Sequence, residues 1–254
     1  MSDPPAHGAL AGSLSTDLAR PASALAVGAH PDDVDFGCGG TLAKWAAAGC
    51  EVHYLVLTDG SKGSWNPGQD TAQLVARRQE EQRDASRIIG GQGRVTFLGA
   101  VDGELADSHD LRGRVAREIR RVRPDVVLGH DPWKRYRLHP DHRVAGFLTT
   151  DGIVAARDPH FFPEHEFPHH RPAALLLWEA DQPDHLEDIA GYEEVKLRAL
   201  LAHRSQLEST MRIGDEEDTN AVDAFAERLR NRQAAAGAPL GLTAAEAFKL
   251  IPDL

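Results

Sequence analysis

From residue 22 onward, short apolar runs alternate with longer stretches whose apolar positions recur every three or four residues. Residues 24–29 form a short apolar run bounded by Pro21 and Pro31, which predicts a buried strand. Further strands are predicted over 52–58, rich in β-branched and aromatic residues, and over 94–98, 125–129 and 174–178. Between them the pattern predicts helices over 41–48, 71–89, 111–122 and 141–156. Gly49 and the Gly90-Gly91 pair stop two of these, and Pro124 follows a third. Strands apolar on both faces and alternating with helices indicate a mostly parallel sheet covered by helices. The expected fold is therefore an α/β, three-layer, Rossmann-like domain over residues 22–254. Additional helices at about 193–205 and 223–236 either cap the domain or form a small lobe. The Pro-, Gly-, Ala- and Ser-rich residues 1–21 read as a flexible leader that settles on the surface after Ser13.

In a parallel sheet, ligands bind beyond the carboxyl ends of the strands. Polar groups follow each predicted strand here. His30-Pro31-Asp32-Asp33 follows the first, and Thr58-Asp59-Gly60-Ser61 the second. Asp102-Gly103-Glu104 lies beyond the third, and His130-Asp131-Pro132 with His139-Pro140-Asp141-His142 beyond the fourth. Two imidazoles and one carboxylate form a recurring catalytic zinc shell, and His30, Asp33 and His142 suit it. Adjacent side chains on a turn diverge, so Asp32 can face the attacking water as a base while Asp33 faces the metal. The alternative for Asp32 is a helix N-cap. His139 sits at the loop end, where it can stabilise an oxyanion or protonate a leaving amine. Asp141 and Asp131 are candidates to orient an imidazole, and Asp141 equally a helix cap.

Composition narrows the partners. With 28 Lys+Arg against 39 Asp+Glu the net charge is −11, which disfavours a nucleic-acid or anionic-membrane surface. Two cysteines make no disulfide scaffold and fit a reducing, cytoplasmic compartment. No apolar run approaches the ~20 residues of a membrane span. Thirteen histidines stand out. Those at 160, 165, 169 and 170 are irregularly spaced around two Phe-Pro breaks, which argues for a loop packed by its aromatics over a second metal site.

The segments Ala29-His30-Pro31-Asp32-Asp33, Gly39-Gly40-Thr41-Leu42 and His139-Pro140-Asp141-His142 together resemble the LmbE-like or PIG-L family of metal-dependent deacetylases. The resemblance runs from about residue 22 to the C-terminus. It includes Thr58-Asp59-Gly60, Arg78-Gln79-Glu80-Glu81, the 98–105 segment and His203-Arg204-Ser205-Gln206. It implies a zinc-dependent hydrolase that removes an N-acetyl group from an N-acetylglucosamine-type or related amide. His30, Asp33 and His142 would bind one zinc per chain, with other divalent metals able to fill the same shell. Asp32 would be the general base and His139 the oxyanion stabiliser. Arg78 and Asp102 join as substrate-binding or supporting residues. Tyr136 is a candidate to assist the intermediate, although it lies further from the second motif than the tyrosine of the mycothiol-type enzyme. Asp35 stands where the family commonly has Glu. The implied partner is a small acetylated amino sugar or amide, and the family admits homo-oligomers. The runner-up readings are a mycothiol-conjugate-type amidase, a natural-product tailoring deacetylase, and a non-catalytic metal- or sugar-binding protein. Substrate choice is expected to rest on loops around 61–69, 102–110, 132–138 and 157–172.

Overall fold

The computed structural model describes residues 14–215 and 217–254; residues 1–13 of the expected leader lie outside it. The predicted strands form β2 (Ser23–Gly28), β3 (Glu51–Thr58), β4 (Val95–Ala100), β5 (Val126–His130) and β6 (Ala174–Trp178). These run parallel in the order β6-β5-β2-β3-β4. Each is too short and too apolar to stand alone, so helices cover both faces. On one face α3 (His109–Val122) and α4 (Pro140–Arg157) pack over Leu25, Val27, Leu55 and Val127. On the other, α1 (Asp33–Ala47), α2 (Thr71–Ile89) and α5 (Glu193–Leu201) pack over Ala24, Ala26, Tyr54 and Leu128.

Three strands escape the sequence pattern. β1 (Ser15–Thr16) lies within the expected leader and pairs in parallel with β7 (His185–Asp188). The chain thus settles as an edge strand just after Ser13. β8 (Ala245–Pro252) runs antiparallel between β6 and β7. Its sequence, with Ala, Glu and Lys among the apolar residues, has little intrinsic strand preference; the open edge of β6 recruits it. The result is an eight-stranded, mostly parallel sheet.

The predicted helix over 41–48 is only the second half of α1. The glycines at 37, 39 and 40 weaken a helix by roughly 1 kcal/mol each in isolation, which hides the first half. Packing explains them. A Cβ on Gly37 would lie 2.5 Å from the Trp178 ring, and one on Gly40 2.7 Å from Ile189. The helix kinks at Cys38 (φ −148°). Beyond the kink the Glu246 carboxylate of β8 accepts hydrogen bonds from the backbone of Gly40 (2.9 Å) and Thr41 (2.8 Å) and from the Thr41 hydroxyl (2.6 Å). A side chain from 205 residues away therefore caps the second half of the helix. Glu246 is also paired with buried Lys196 at 2.5 Å.

The C-terminal helical segment ends earlier than expected. α5 stops at Leu201 and a tight turn and a wide turn carry the chain to Met211. Helix α6 (Thr219–Gly237) starts under the Asp218 side chain, which accepts from Asn220 and Ala221 backbone N–H groups. Phe225 and Leu229 of α6 join Leu197, Leu200 and Met211, and Phe225 meets Phe36 of α1 edge to face. These helices cap the domain beside the carboxyl end of β2.

Candidate active site and metal centre

From β2 the chain steps to β3 and β4 on one side, while β5 and β6 lie on the other. The strand order thus switches direction between β2 and β5, where a crevice opens at the carboxyl ends. The β2 turn brings His30 to Asp33 there. Asp33 Oδ2 accepts from the His30 backbone N–H at 2.7 Å, closing the turn. Asp32 pays for the closure with φ +103°, a left-handed conformation that costs a non-glycine residue about 1–3 kcal/mol. Asp32 occupies the N-cap position of α1, yet its side chain makes no capping hydrogen bond. The cap alternative therefore does not account for it.

One carboxylate faces three imidazoles. Asp33 Oδ2 lies 3.3 Å from His30 Nδ1 and 3.2 Å from His130 Nε2, and Oδ1 lies 3.2 Å from His142 Nε2. Burial opposes ionisation of Asp33, but His142 and His130 hold its carboxyl well below the usual range. Tetrahedral zinc with bonds of about 2.1 Å keeps ligand atoms about 3.4 Å apart. The Asp33 distances to His30 and His142 are close to that spacing but run to different carboxylate oxygens, and the side chains whose ligand atoms cluster closely enough to hold a cation are His30, His139 and His142, then Asp33, His130 and His142, and His30 with Asp102 and Asp141.

The tautomers separate ligands from supports. His30 Nε2 faces Asp141 Oδ2 at 3.0 Å and Asp102 Oδ1 at 3.2 Å, so it carries a hydrogen and Nδ1 remains for a cation. Burial disfavours charge on His30, yet Asp102, Asp141 and Asp33 push its pKa up to about 12, so a cation at Nδ1 has to displace the proton that these carboxylates favour. Asp141 is held by the N–H groups of Gly103 and Leu105, and Asp102 by that of Lys62. Both carboxylates thus sit against the His30 imidazole. His130 was not expected in the site. The Trp178 indole N–H donates to its Nδ1 at 3.1 Å, which leaves the ring hydrogen on Nε2, aimed at Asp33. His130 thus faces Asp33 as a donor, and Asp33, His130 and His142 also lie close enough together to hold a cation. The His-Asp-Pro directly after an apolar strand was the only signal for it.

Asp32 and His139 face the same space. Burial raises the Asp32 pKa to about 6, with the Arg78 guanidinium 3.5 Å away pulling against that rise. Arg78 also donates to the carbonyls of Pro31 (2.7 Å) and Gly60 (2.9 Å), tying two loops together beneath the cavity. Its neighbour Arg77 pairs with Glu81 along the helix at 2.8 Å. Asp32 is further fixed through its backbone N–H, which donates to Gln82, whose amide in turn donates to Asp35. Asp35 also accepts from His203 and Tyr54. His139 precedes α4, and Pro140 starts that helix with a pre-set φ. Its ring lies 4.6 Å from those of His30 and His142. Burial and the two neighbouring imidazoles hold its pKa down, leaving it a neutral donor at pH 7.

Two expected residues fall elsewhere. Tyr136 adopts φ +61°, is 87% exposed and does not line the cavity; the turn before His139 swings it outward. Asp131 touches no imidazole; its carboxylate accepts from the Trp133 N–H and closes that turn. The histidine-rich segment also lies off the cavity. Arg120 donates to the carbonyls of Ala155, Ala156, Asp158, Phe161 and Phe162, and Phe162 stacks on His165. Among the described residues no metal-like cluster includes these histidines. The loop is packed, as its aromatics suggested.

The cavity has a volume of about 820 Å³. His30, Asp32, Asp33, His139, His142 and Trp65 line it. The 132–138 and 157–172 loops do not line it, while α6 and β8 do.

Comparison with known proteins gives the family. The family description "PIG-L: GlcNAc-PI de-N-acetylase" matches residues 25–153. The chain belongs to the PIG-L family. It is 37% identical over 185 residues to a diacetylchitobiose deacetylase of Thermococcus kodakarensis, covering 72% of this chain and 69% of that one. A 1D-myo-inositol 2-acetamido-2-deoxy-alpha-D-glucopyranoside deacetylase of Streptomyces avermitilis is 32% identical over 164 residues, 55% of each chain. The structure of N,N'-diacetylchitobiose deacetylase from Pyrococcus horikoshii superposes with a TM-score of 0.81 at 29% identity, covering 91% of this chain and 84% of that one. PIG-L deacetylases are metal-dependent, and the His/Asp cluster is placed where this chain can hold a cation.

Proposed function

We propose that this PIG-L member is a zinc-dependent amidohydrolase that removes the acetyl group from an N-acetylated amino sugar. The observation that carries the reading is the Asp33 carboxylate set between His30 Nδ1 and His142 Nε2, with Asp32 on the same strained turn. When bound, the metal supplies the Lewis acidity that polarises an amide carbonyl and acidifies water. Asp32 accepts the proton of the attacking water. Its pKa near 6 leaves it ionised at pH 7 yet basic enough to hold that proton. The neutral His139 N–H faces the developing oxyanion, where a fixed donor needs no reorganisation. The proton on Asp32 then passes to the departing nitrogen, and acetate and the free amine leave. Asp102 and Asp141 keep His30 in the tautomer that leaves Nδ1 free, and His130 steadies Asp33.

The buried, unpaired Cys38 and Cys50 support a reducing, cytoplasmic setting. Among the described residues no helix is long and apolar enough to cross a membrane.

The test is metal content together with acetate release from N-acetylglucosamine, N,N'-diacetylchitobiose and the inositol glycoside. We expect one zinc per chain and acetate from at least one sugar. The Asp32→Asn variant should keep the zinc and lose about 10²–10⁴-fold in kcat. Full activity in that variant would remove Asp32 from the mechanism. Zinc without acetate from any sugar, but with hydrolysis of a larger amide, would move the reading to a conjugate amidase.

A further inference from the structure

A serine, a histidine and a glutamate stand in line where β1 meets β7. β1 is the outermost strand of the sheet, and its Ser15 is in register with His185 of β7. Ser15 Oγ lies 2.8 Å from His185 Nδ1, and His185 Nε2 lies 2.9 Å from Glu187 Oε1. His185 and Glu187 are two residues apart on one strand, so their side chains share a face. Both are buried, at 1% and 0% exposure, whereas Ser15 is exposed. Glu187 is itself fixed: Oε1 accepts from the Leu18 N–H at 2.9 Å and Oε2 from Lys44 of α1 at 2.6 Å. Glu187 accepts the hydrogen on His185 Nε2, which leaves the Nδ1 lone pair for the serine hydroxyl. The Asp184 carbonyl, at 3.2 Å, is the more distant acceptor for that hydroxyl. None of the three side chains lines the cavity of the His/Asp cluster.

We propose that Ser15, His185 and Glu187 form a second hydrolytic site, independent of the metal centre, that takes the acyl group of a small activated ester. A hydroxyl within hydrogen-bond reach of an imidazole, itself oriented by a carboxylate, is the arrangement that turns a serine into a nucleophile. Ser15 Oγ adds to the ester carbonyl and its proton passes to His185 Nδ1. Glu187 steadies the imidazolium that forms. The Ser15 and Asp17 N–H groups bond to the Asp184 and Leu186 carbonyls of the neighbouring strand. The Thr16 N–H between them therefore points out of the sheet at its open edge, next to the nucleophile, where an oxyanion develops. The bond to the alcohol then breaks, and His185 returns the proton to the leaving oxygen. Water attacks the acylated serine with the same imidazole as base, releasing the acid and restoring Ser15. The net reaction is ester plus water to acid plus alcohol. An open edge offers little to bind, so the reactivity of the ester, rather than its shape, selects it.

The test treats the zinc-loaded enzyme with a fluorophosphonate, locates the adduct by peptide mass spectrometry, and measures hydrolysis of 4-nitrophenyl acetate. The wild type should carry one adduct per chain, on Ser15, formed about 10²–10⁴-fold faster than in His185→Gln. Ser15→Ala should lose the adduct and hydrolyse the ester more slowly than the wild type, while releasing acetate from the sugar as the wild type does. A merely structural clasp between β1 and β7 would lower the unfolding temperature of these variants without labelling Ser15 in the wild type. Absence of a Ser15 adduct in the wild type would overturn the proposal. So would ester hydrolysis that is equal in Ser15→Ala, or labelling of Ser15 that is unchanged in His185→Gln. Ser15→Ala alters only an exposed hydroxyl, so its ester rate decides the matter even if His185→Gln fails to fold. Neither labelling nor ester hydrolysis at Ser15 requires the metal centre, so failure of the deacetylase reading would leave this site standing.

Discussion

Replacing Arg78 with Met probes whether Asp32 acts through an ionised carboxylate tuned by its surroundings. Arg78 Nη2 lies 3.5 Å from Asp32 Oδ2. Burial raises the Asp32 carboxyl, this guanidinium lowers it, and the balance stands at about 6. At that separation two unit charges interact by about 1.2 kcal/mol in the dielectric of water and about 4.7 kcal/mol at an effective value of ~20. One pKa unit corresponds to about 1.4 kcal/mol, so losing the cation lifts the Asp32 pKa by roughly one to three units. A general base works only when deprotonated, so activity is lost as pH falls through its pKa. The wild-type kcat/KM should therefore fall on the acid side with a midpoint near pH 6. In Arg78→Met the midpoint should move up to roughly pH 7–9. A bound cation lowers both midpoints together, so the displacement between the two profiles is the quantity to read. Arg78 also donates to Pro31 and Gly60, and Arg78→Lys serves as the control that keeps the charge while losing the forked geometry. Its acid limb should stay close to that of the wild type. The assay is acetate release from pH 4.5 to 9.5. An Arg78→Met acid limb that coincides with the wild type's would refute the electrostatic coupling and remove Asp32 as the titrating base.

Two further outcomes follow from the supporting residues. Glu246→Ala strands buried Lys196 and uncaps the second half of α1, so urea unfolding should show a loss of about 3–5 kcal/mol; a loss under 1 kcal/mol would contradict the internal cap. His130→Ala removes the donor that steadies Asp33, and competition with a chromophoric chelator should show zinc affinity reduced about 10- to 100-fold. His130→Gln, whose amide N–H can stand where Nε2–H stood, should recover most of that loss.

The parts of the site legible in the sequence share one property: their neighbours in the chain are their neighbours in space. His30, Asp32 and Asp33 occupy a single turn leaving β2, and His139, Asp141 and His142 the start of α4. Each group follows an apolar strand, and parallel strands place such turns on one rim. The resemblance misled at Tyr136. It suggested that this tyrosine assists the intermediate, but the turn's positive φ sends the ring into solvent. His130 sat in a visible motif, yet its role depends on the Trp178 indole, 48 residues away, which fixes its tautomer. Gln233, which lines the cavity from α6, had no local signal. A lone glutamine on an amphipathic helix reads as surface, and only the packing of α6 beside β8 and α5 buries it against the cavity.

By itself, then, the chain determined the alternation of parallel strands and helices, the rim on which the polar turns fall and the cluster of His and Asp residues gathered there. These follow from hydrophobic periodicity and from turns that keep sequence neighbours together. Only the tertiary structure decided that β8 returns antiparallel beside β6, that Glu246 crosses 205 residues to cap a kinked glycine-rich helix, and that α6 lines the cavity. Those outcomes depend on open hydrogen-bonding edges and unsatisfied backbone groups finding partners distant in the chain, and local residue patterns carry no record of such pairings.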